Sequence, residues 1–349
     1  MKRVLMEESS ILSELDLAII NALQIRPRGE WARIGSALGV TGATAARHWA
    51  RLRSERLAWI ATVPGPQFAD NGHAAHVFLS AAPRAHETLA ERLCAEPAAA
   101  TVALVTGGHD FRIDCFSGTH EDLSRTISER FASLPGVTRT ETAFVTRVHR
   151  QSSLWRSGVL DKQQSASVAA ASQTALPRRT TVDEIDSALL DVLAGDGRLS
   201  WAELAAACDV SPQTARRRVE QHLASGYLVL RCEFAGSAGQ PTREASLILS
   251  VPARHLEEAG RYVASLPNCR ISVQTLSVHN LVATFWVHDL SEIHAYEREI
   301  EARAPGTAVL SRSVTLRTYK RVGHILDREG RSAGRVPLSM WEPPPVETG

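Results

Sequence analysis

The segment LSELDLAIINAL (12–23) opens the first clear helical pattern of the chain, and VDEIDSALLDVL (182–193) follows it 170 positions later. Residues 12–60 and 182–230 are identical at 12 of 49 positions without a gap. The same offset of 170 positions also aligns the later parts of the two copies. A register kept over so long a stretch indicates an internal duplication. The chain is therefore predicted to contain two copies of one folding unit.

The composition is that of an ordinary globular protein. The 349 residues are 44% hydrophobic and 22% charged, with a formal net charge of +1. These values exclude a disordered or collagen-like chain, and no apolar run is long enough for a transmembrane helix. The first ten residues lack the apolar core of a signal peptide, and the five scattered cysteines form no CxxC pair. We therefore expect a cytoplasmic protein without a disulfide framework, bound metal or cofactor.

Each copy begins with three short helical patterns. A loop that contains glycine follows the first helix, and a capping residue, Thr41 or Ser211, precedes the third. In the second copy Pro212 occupies the first helical position, where proline is common. Two short helices joined by a tight turn, the second of them basic, are typical of a helix-turn-helix. Predicted strands at 57–63 and 227–234 then either form a wing or lead out of the domain.

The rest of each copy alternates strands and helices in the order β-α-β-β-α-β, which predicts a ferredoxin-like sandwich. The fold class is therefore α+β, with two winged helix-turn-helix domains and two ferredoxin-like βαββαβ sandwiches in tandem. The predicted strands of the sandwiches are 75–82, 99–106, 109–117 and 137–148 in the first copy and 245–252, 268–277, 279–288 and 308–319 in the second.

These motifs resemble those of the Lrp/AsnC family of bacterial and archaeal transcription regulators. The two segments quoted above and SPQTARRRVE (211–220) carry the match in the helix-turn-helix, and VTGGHDFRI (105–113) and LPGVTRTETAFV (134–145) carry it in the sensing domain. The resemblance implies binding to double-stranded DNA and self-association through the sensing domains. It also implies a small effector, such as an amino acid, where sensing domains meet. Ordinary members have one unit, so this chain resembles a fused dimer.

The repeat and the motifs together predict the domain boundaries. The segment between the copies is rich in Ser, Ala and Gln, which indicates a linker, and the proline-rich tail is expected to be poorly ordered. The predicted units are a helix-turn-helix domain at 10–63, a sensing domain at 74–150, the linker at 151–180, a helix-turn-helix domain at 181–235, a sensing domain at 244–321 and the tail at 322–349.

The recognition helices carry the candidate DNA contacts. Between Arg26 and Ile60 seven arginines stand against two glutamates, and such a local excess indicates an anionic partner. Short polar residues at a helix N-terminus reach phosphates or base edges, and arginine binds guanine through two hydrogen bonds. A solvated basic helix is the alternative, but two copies in register favour DNA. The candidates are Thr41, Thr44, Arg47, His48, Arg51, Arg53, Ser211, Gln213, Thr214, Arg216, Arg217, Arg218 and Gln221.

The turn Gly107-Gly108-His109-Asp110 is the candidate effector site that the resemblance implies. Its amide groups would hold the carboxylate of an amino acid and Asp110 its ammonium, whereas the alternative is a tight turn capped by Asp110. The second copy has Ser277-Val278-His279-Asn280, without the glycines and the carboxylate, so the first copy should dominate. His109 and His279 coincide in the repeat. They are either ligand contacts, pH-sensitive groups or hydrogen-bonded interface side chains.

Two other functions stay open. A tetrapyrrole-pathway enzyme that resembles a fused siroheme decarboxylase shares the family scaffold, but its His-Asn-Tyr-type segment is not found in this sequence. A sensor or assembly module that has lost DNA binding is the other possibility. No nucleophile elbow, Walker loop, HExxH motif or paired-carboxylate signature occurs. We therefore expect no enzyme and name no catalytic residue.

Overall fold

The computed structural model describes residues 12–65, 68, 73–170, 182–236, 242–338 and 340. Within them the two copies repeat the same order of elements, as the duplication predicts. No helix in this part of the chain is long and apolar enough to cross a bilayer.

The first copy starts with three helices and a strand. Ser13 and Asp16 form a reciprocal capping box at the start of the first helix, and Thr41 caps the third. These caps fix both helix starts. The elements are α1 (Glu14–Ile25), α2 (Trp31–Ala37), α3 (Gly42–Ser54) and β1 (Ala58–Pro64).

The first sensing domain has the predicted βαββαβ order, and a π-helical stretch (Thr126–Phe131) continues its second helix. The linker adds one short helix, α6. The elements are β2 (Ala74–Ala81), α4 (His86–Ala95), β3 (Ala99–Val105), β4 (Phe111–Phe116), α5 (His120–Arg125), β5 (Val137–Arg150) and α6 (Lys162–Ala169).

The second copy repeats this plan. Its third helix ends at Gly226, which adopts the left-handed conformation at the C-cap. The elements are α7 (Glu184–Gly195), α8 (Trp201–Ala207), α9 (Pro212–Ser225), β6 (Leu228–Phe234), β7 (Arg243–Ser250), α10 (Leu256–Ser265), β8 (Cys269–Leu276), β9 (Leu281–Val287), α11 (Glu292–Arg303) and β10 (Ala308–Arg321).

The two sensing-domain sheets close into one barrel. Strand order is β3-β4-β2-β5 in the first copy and β8-β9-β7-β10 in the second. Strands β5 and β10 have 14 residues each, long enough to pair both within their own sheet and with the other copy. The pairs β5–β8 and β10–β3 join the sheets into a closed ring of eight strands. The two sensing domains therefore pair within a single chain.

The strands that leave the helix-turn-helix domains pair with each other. Ala58 of β1 lies opposite Phe234 of β6, and Pro64 lies opposite Leu228. Each strand thus leads out of its domain, and its partner comes from the other copy. We call this antiparallel pair the ribbon. It joins the two helix-turn-helix domains to the barrel.

The tail after Arg321 is ordered where the structure describes it, so the expectation of poor order was wrong there. Strands β11 (His324–Leu326) and β12 (Ser332–Arg335) extend the sheet beyond β10. Arg335 donates a hydrogen bond of 2.6 Å to Asp191 of α7, and Leu338 is buried. These contacts hold the tail on the second copy. Residues 341–349, which contain the prolines of the motif, lie outside the described residues, as do 171–180 of the linker.

His324 makes the tail sensitive to acid. It is 5% exposed, stacks 5.3 Å from Trp59, and its Nδ1 lies 2.9 Å from Ser332 Oγ. Burial lowers the pKa of His324 from 6.5 to about 4. Between these values only the unfolded chain binds the proton, so stability falls as the pH falls from 6.5 towards 4. The expected loss is about 3 kcal/mol.

Urea unfolding at both ends of this pH range measures the loss. His324→Gln should show a smaller loss of unfolding free energy than the parent chain. Equal losses in the two proteins would show that His324 is not the sensitive group.

Candidate DNA-binding heads and ligand site

We call the helix-turn-helix domains α1–α3 and α7–α9 the heads. Four of the candidate DNA contacts form the start of the recognition helices. Thr41 Oγ1 accepts a hydrogen bond of 3.1 Å from the Thr44 amide, and Ser211 Oγ accepts one of 3.1 Å from the Thr214 amide. The hydroxyls therefore fix the helix starts, and they lie at exposed ends of both heads.

Arg47 and Arg217 occupy equivalent positions in α3 and α9. Both side chains are exposed, and neither contacts a carboxylate in the described part of the chain. Gln213 is also exposed, whereas Arg216 pairs with Glu220 at 3.0 Å. Arg47 and Arg217 are the recognition-helix cations that are most available to phosphate groups.

Three other candidates hold the recognition helix to the first helix of the head. His48 Nδ1 lies 2.8 Å from Asp16 Oδ1, and Arg51 donates to Asp16 Oδ2 at 2.5 Å. In the second head Arg218 donates to Asp186 at 2.9 Å. Both aspartates are buried. His48, Arg51 and Arg218 thus stabilise the heads, and DNA contact by them stays a prediction.

Arg28 crosses from the first head to the second. Its guanidinium donates to the carbonyls of Gly197 (2.6 Å) and Leu199 (2.7 Å), and lies 3.9 Å from the ring centre of Trp201. Burial lowers the pKa of Arg28 to about 10, which leaves it charged at neutral pH. The contact combines charge-assisted hydrogen bonds with a cation–π interaction.

Arg198 makes the equivalent contact in the opposite direction. It donates to the carbonyls of Pro27 (2.5 Å) and Gly29 (2.9 Å), and lies 4.0 Å from the ring centre of Trp31. Such reciprocity is the pattern of a twofold homodimer interface, but it occurs within one chain. Together, Arg28 and Arg198 fix the heads relative to each other.

Two candidates lie outside these groups. Arg53 pairs with Asp196 of the other head at 2.8 Å, so it also links the heads. Gln221 is half-buried in α9. The structure therefore divides the predicted DNA contacts into exposed groups and groups that build the heads.

The glycine turn of the first sensing domain packs against the second copy. Gly107 has a φ of +103°, and a Cβ there would lie 2.8 Å from the Arg312 carbonyl of β10. Glycine is therefore needed for both the backbone conformation and the close approach. The neighbouring Gly108 has no such contact. The turn therefore lies where the two sensing domains meet, and effector binding there stays a prediction.

The side chains of Asp110 and Asn280 are already engaged. Asp110 accepts a hydrogen bond of 2.7 Å from the Ala81 amide and lies 3.2 Å from His86. Asn280 makes two hydrogen bonds, of 2.8 and 2.7 Å, with the backbone of Val251. Both side chains anchor the end of a strand at equivalent positions. Contact with an effector ammonium stays a prediction, and each Asp110 oxygen already has one partner within its own domain.

His109 and His279 converge on one carboxylate. The Glu141 oxygens lie 3.3 Å from His109 Nε2 and 3.4 Å from His279 Nδ1. Phe78 lies within 5.3 and 5.7 Å of the two rings. Burial lowers the pKa of His279. This arrangement favours interface side chains among the three alternatives. Ser277 and Val278 lie beside His279 at the tip of the hairpin, and Val278 is exposed.

The barrel encloses a cavity that was not predicted from the sequence. It has a volume of about 120 Å³, all eight barrel strands contribute to its lining, and the ribbon covers it on one side. Most of its charged residues are not repeated between the copies; Arg112, for example, has Val282 as its counterpart. Alternation of charged and apolar residues in β4 was the available signal. The arginines that line the cavity are Arg112, Arg150, Arg231, Arg270 and Arg321.

One ion-pair network spans both copies beside the cavity. Arg112 donates to Glu244 at 2.7 Å and to Ser246 at 2.8 Å, and Trp286 donates to Glu244 at 2.8 Å. Burial opposes the ionisation of Glu244, but Arg112 and the other donors outweigh it, so its pKa lies well below the ordinary value. On the same wall, His76 Nδ1 lies 2.9 Å from Asp114.

A second cluster links the cavity to the ribbon. Glu233 of β6 is buried and pairs with Arg231, with Arg270 at 3.5 Å and with Arg321 at 3.6 Å. Arg270 also lies 3.5 Å from the ring centre of Trp286. Burial lowers the pKa of Arg270 to about 9. The ribbon and the barrel thus share one buried group of charges.

Comparison with known proteins identifies the family. The family model of the AsnC-type helix-turn-helix domain matches residues 12–53 and 182–221, and that of the Lrp/AsnC ligand binding domain matches 74–155. The chain is a tandem member of the Lrp/AsnC family. An uncharacterized HTH-type transcriptional regulator of Pyrococcus abyssi is 28% identical over 152 residues, which cover 42% of this chain and 93% of the relative. One of Pyrococcus horikoshii is 28% identical over 140 residues, which cover 40% and 89%.

The tandem arrangement of this Lrp/AsnC member has a solved counterpart. The siroheme decarboxylase NirDL aligns with a TM-score of 0.57 and 16% identity, over 89% of this chain and 93% of that one. A structure of NirDL with an iron-uroporphyrin III analogue gives a TM-score of 0.56. Our expectation that the protein is no enzyme is corrected by this finding. The tandem fold is also that of an enzyme, and missing catalytic motifs do not exclude catalysis on it.

Proposed function

We propose that this Lrp/AsnC member is a cytoplasmic transcription regulator in which one chain supplies both of the heads that bind DNA. The main support is that Arg47 and Arg217 are exposed cations at equivalent positions of the two heads. Arg28 and Arg198 hold these heads together. Ordinary members need two chains for such a pair. A duplicated chain carries both cations in one molecule, so the pair does not depend on an equilibrium between monomer and dimer.

A small effector bound to the sensing domains would control this activity. The family supports an amino acid at the Gly107-Gly108 turn, where Gly107 packs against β10 of the second copy. The engagement of Asp110 by Ala81 and His86 argues against an ammonium contact there. Association of further chains through the sensing domains is part of the same proposal.

A second candidate function is chemistry on a carboxylate-bearing tetrapyrrole. The observation that favours it is the shared tandem fold with NirDL, together with five arginines around the cavity. The cavity volume of about 120 Å³ is too small for a macrocycle. Mixing the chain with iron uroporphyrin tests this candidate, since a shift of the tetrapyrrole absorption bands is required for binding.

Selection of genomic DNA fragments by the intact chain tests the regulator function. We expect enrichment of fragments that contain two half-sites, because the two heads are fixed relative to each other. The matched control is the chain with Arg47→Ala and Arg217→Ala. No enrichment by the parent chain over this control would contradict the proposal.

A further inference from the structure

We propose that the cavity inside the barrel binds a small carboxylate that has a short apolar chain and no ammonium group. This goes beyond the proposed function, because it adds a ligand class and a site in the barrel that are separate from the Gly107-Gly108 turn. Only the regulatory consequence rests on the proposed function. Ligand binding itself is measurable without DNA.

Positive charge outnumbers negative charge around the cavity. Five arginines line it, whereas the carboxylates beside them are Asp114, Glu244 and Glu233. Buried charges are costly unless they are paired. An anionic ligand would supply the missing negative charge.

Arg150 is the arginine best placed to bind this anion. It donates to the Ala264 carbonyl at 2.7 Å, and no carboxylate contacts its guanidinium among the described residues. Its Nε is buried without a hydrogen-bond partner there. A guanidinium with free N–H groups binds a carboxylate through two parallel hydrogen bonds. Arg150 is therefore the expected anchor of the ligand.

His76 supplies a second group for the ligand. It is buried, and Asp114 holds its Nδ1 at 2.9 Å, so the orientation of the ring is fixed. Its Nε2 is buried without a hydrogen-bond partner in the described part of the chain. Nε2 is therefore the His76 atom that is open to a hydrogen bond with the ligand.

Both carboxylates that line the cavity already have cationic or N–H partners. Asp114 accepts from His76 and lies 3.7 Å from Arg112. Glu244 accepts from Arg112 and from Trp286. An amino acid would therefore bring a further positive charge into a cavity that five arginines line. A 2-oxo acid with the same carbon skeleton avoids that cost.

The rest of the wall is apolar and limits the size of the ligand. Ala74, Val145, Ile271 and Val273 line the cavity and pack against one another in the barrel interior. The volume of about 120 Å³ is several times what one water needs, but it holds only a few carbon atoms. A short hydrocarbon chain attached to the carboxylate fits this surface.

The same cavity reaches the ribbon. Arg231 lines the cavity from β6 and pairs with Glu233, which also holds Arg270 and Arg321. A carboxylate in the cavity competes with Glu233 for these arginines. Since β6 follows directly from α9, this competition would alter how the second head is held.

Isothermal titration of the intact chain with 3-methyl-2-oxobutanoate and with valine tests the proposal, because the two share one carbon skeleton. The oxo acid should bind, with valine about tenfold weaker or more. Arg150→Gln should weaken binding of the oxo acid about tenfold or more. Arg147→Gln is the matched control, since this arginine lies on the same strand, is 54% exposed and should leave binding unchanged.

Three results would overturn the proposal. They are no binding of the oxo acid, equal binding by the parent and Arg150→Gln, and loss of binding in Asp110→Ala but not in Arg150→Gln. Thermal unfolding without ligand shows whether Arg150→Gln still folds. The Arg150→Lys variant keeps the positive charge and serves as the second variant if Arg150→Gln has a folding defect. If the oxo acid binds but the chain ignores DNA, the regulator function fails and the cavity site stands.

Discussion

Replacing both Arg47 and Arg217 with alanine should lower the affinity of the chain for its DNA about a hundredfold at about 0.1 M salt. Each arginine is expected to neutralise one phosphate, and each contact adds about one unit to the slope of log affinity against log salt. The double variant should therefore lose about two units of slope. Both side chains are exposed, so the fold should not change. Fluorescence anisotropy across a range of salt concentrations measures both quantities.

Two controls separate DNA contact from stability. Arg261→Ala removes an equally exposed charge from the sensing domain and should leave affinity and slope unchanged. Arg218→Ala should instead destabilise the second head, because Arg218 holds Asp183 and Asp186. An unchanged slope in the Arg47 and Arg217 double variant would remove both arginines from the DNA-binding surface.

Replacing Glu244 with alanine should lower the free energy of unfolding by about 3–5 kcal/mol, because it removes the carboxylate to which buried Arg112 donates. Glu244 accepts hydrogen bonds from Arg112, Trp286 and Thr315. Because these donors hold its pKa below the ordinary 4.5, its contribution is present above that pH and is lost as the pH falls. Urea unfolding at neutral pH measures the loss.

The paired replacement of Arg112 and Glu244 by leucine should recover much of this loss, since it removes both buried charges. Glu257→Ala is a control, because Glu257 forms an exposed pair with Arg147 and its loss should leave the free energy of unfolding nearly unchanged. Equal destabilisation by Glu244→Ala and Glu257→Ala would show that the buried network does not stabilise the barrel.

Local patterns in the sequence predicted most of the elements. Strand β5 was predicted at 137–148 and extends over Val137–Arg150, and β9 was predicted at 279–288 and extends over Leu281–Val287. Apolar spacing and capping residues act over a few residues, so the elements of one copy can be predicted from that copy alone. The second copy then predicted the same order of elements independently.

Contacts between the copies could not be predicted in the same way. Arg28 and Arg198 coincide in the repeat, but the repeat shows equivalence and not that each reaches the other head. The pair Arg112 and Glu244 has no counterpart in the register, so no repeat signal marked it. The bond from the Ala81 amide to Asp110 lies within the first sensing domain and is also not visible in the sequence. The contacts between the copies depend on how the barrel closes, which local patterns do not encode.

The most direct test of the central claim, that one chain brings two heads to DNA, uses a selected genomic fragment and the same fragment with one half-site scrambled. The affinity of the intact chain for each is measured by anisotropy, and the stoichiometry by native mass spectrometry. We predict that each pair of half-sites binds one chain. Scrambling one half-site should weaken binding about tenfold or more. Equal affinity for the selected, scrambled and random fragments would contradict the account.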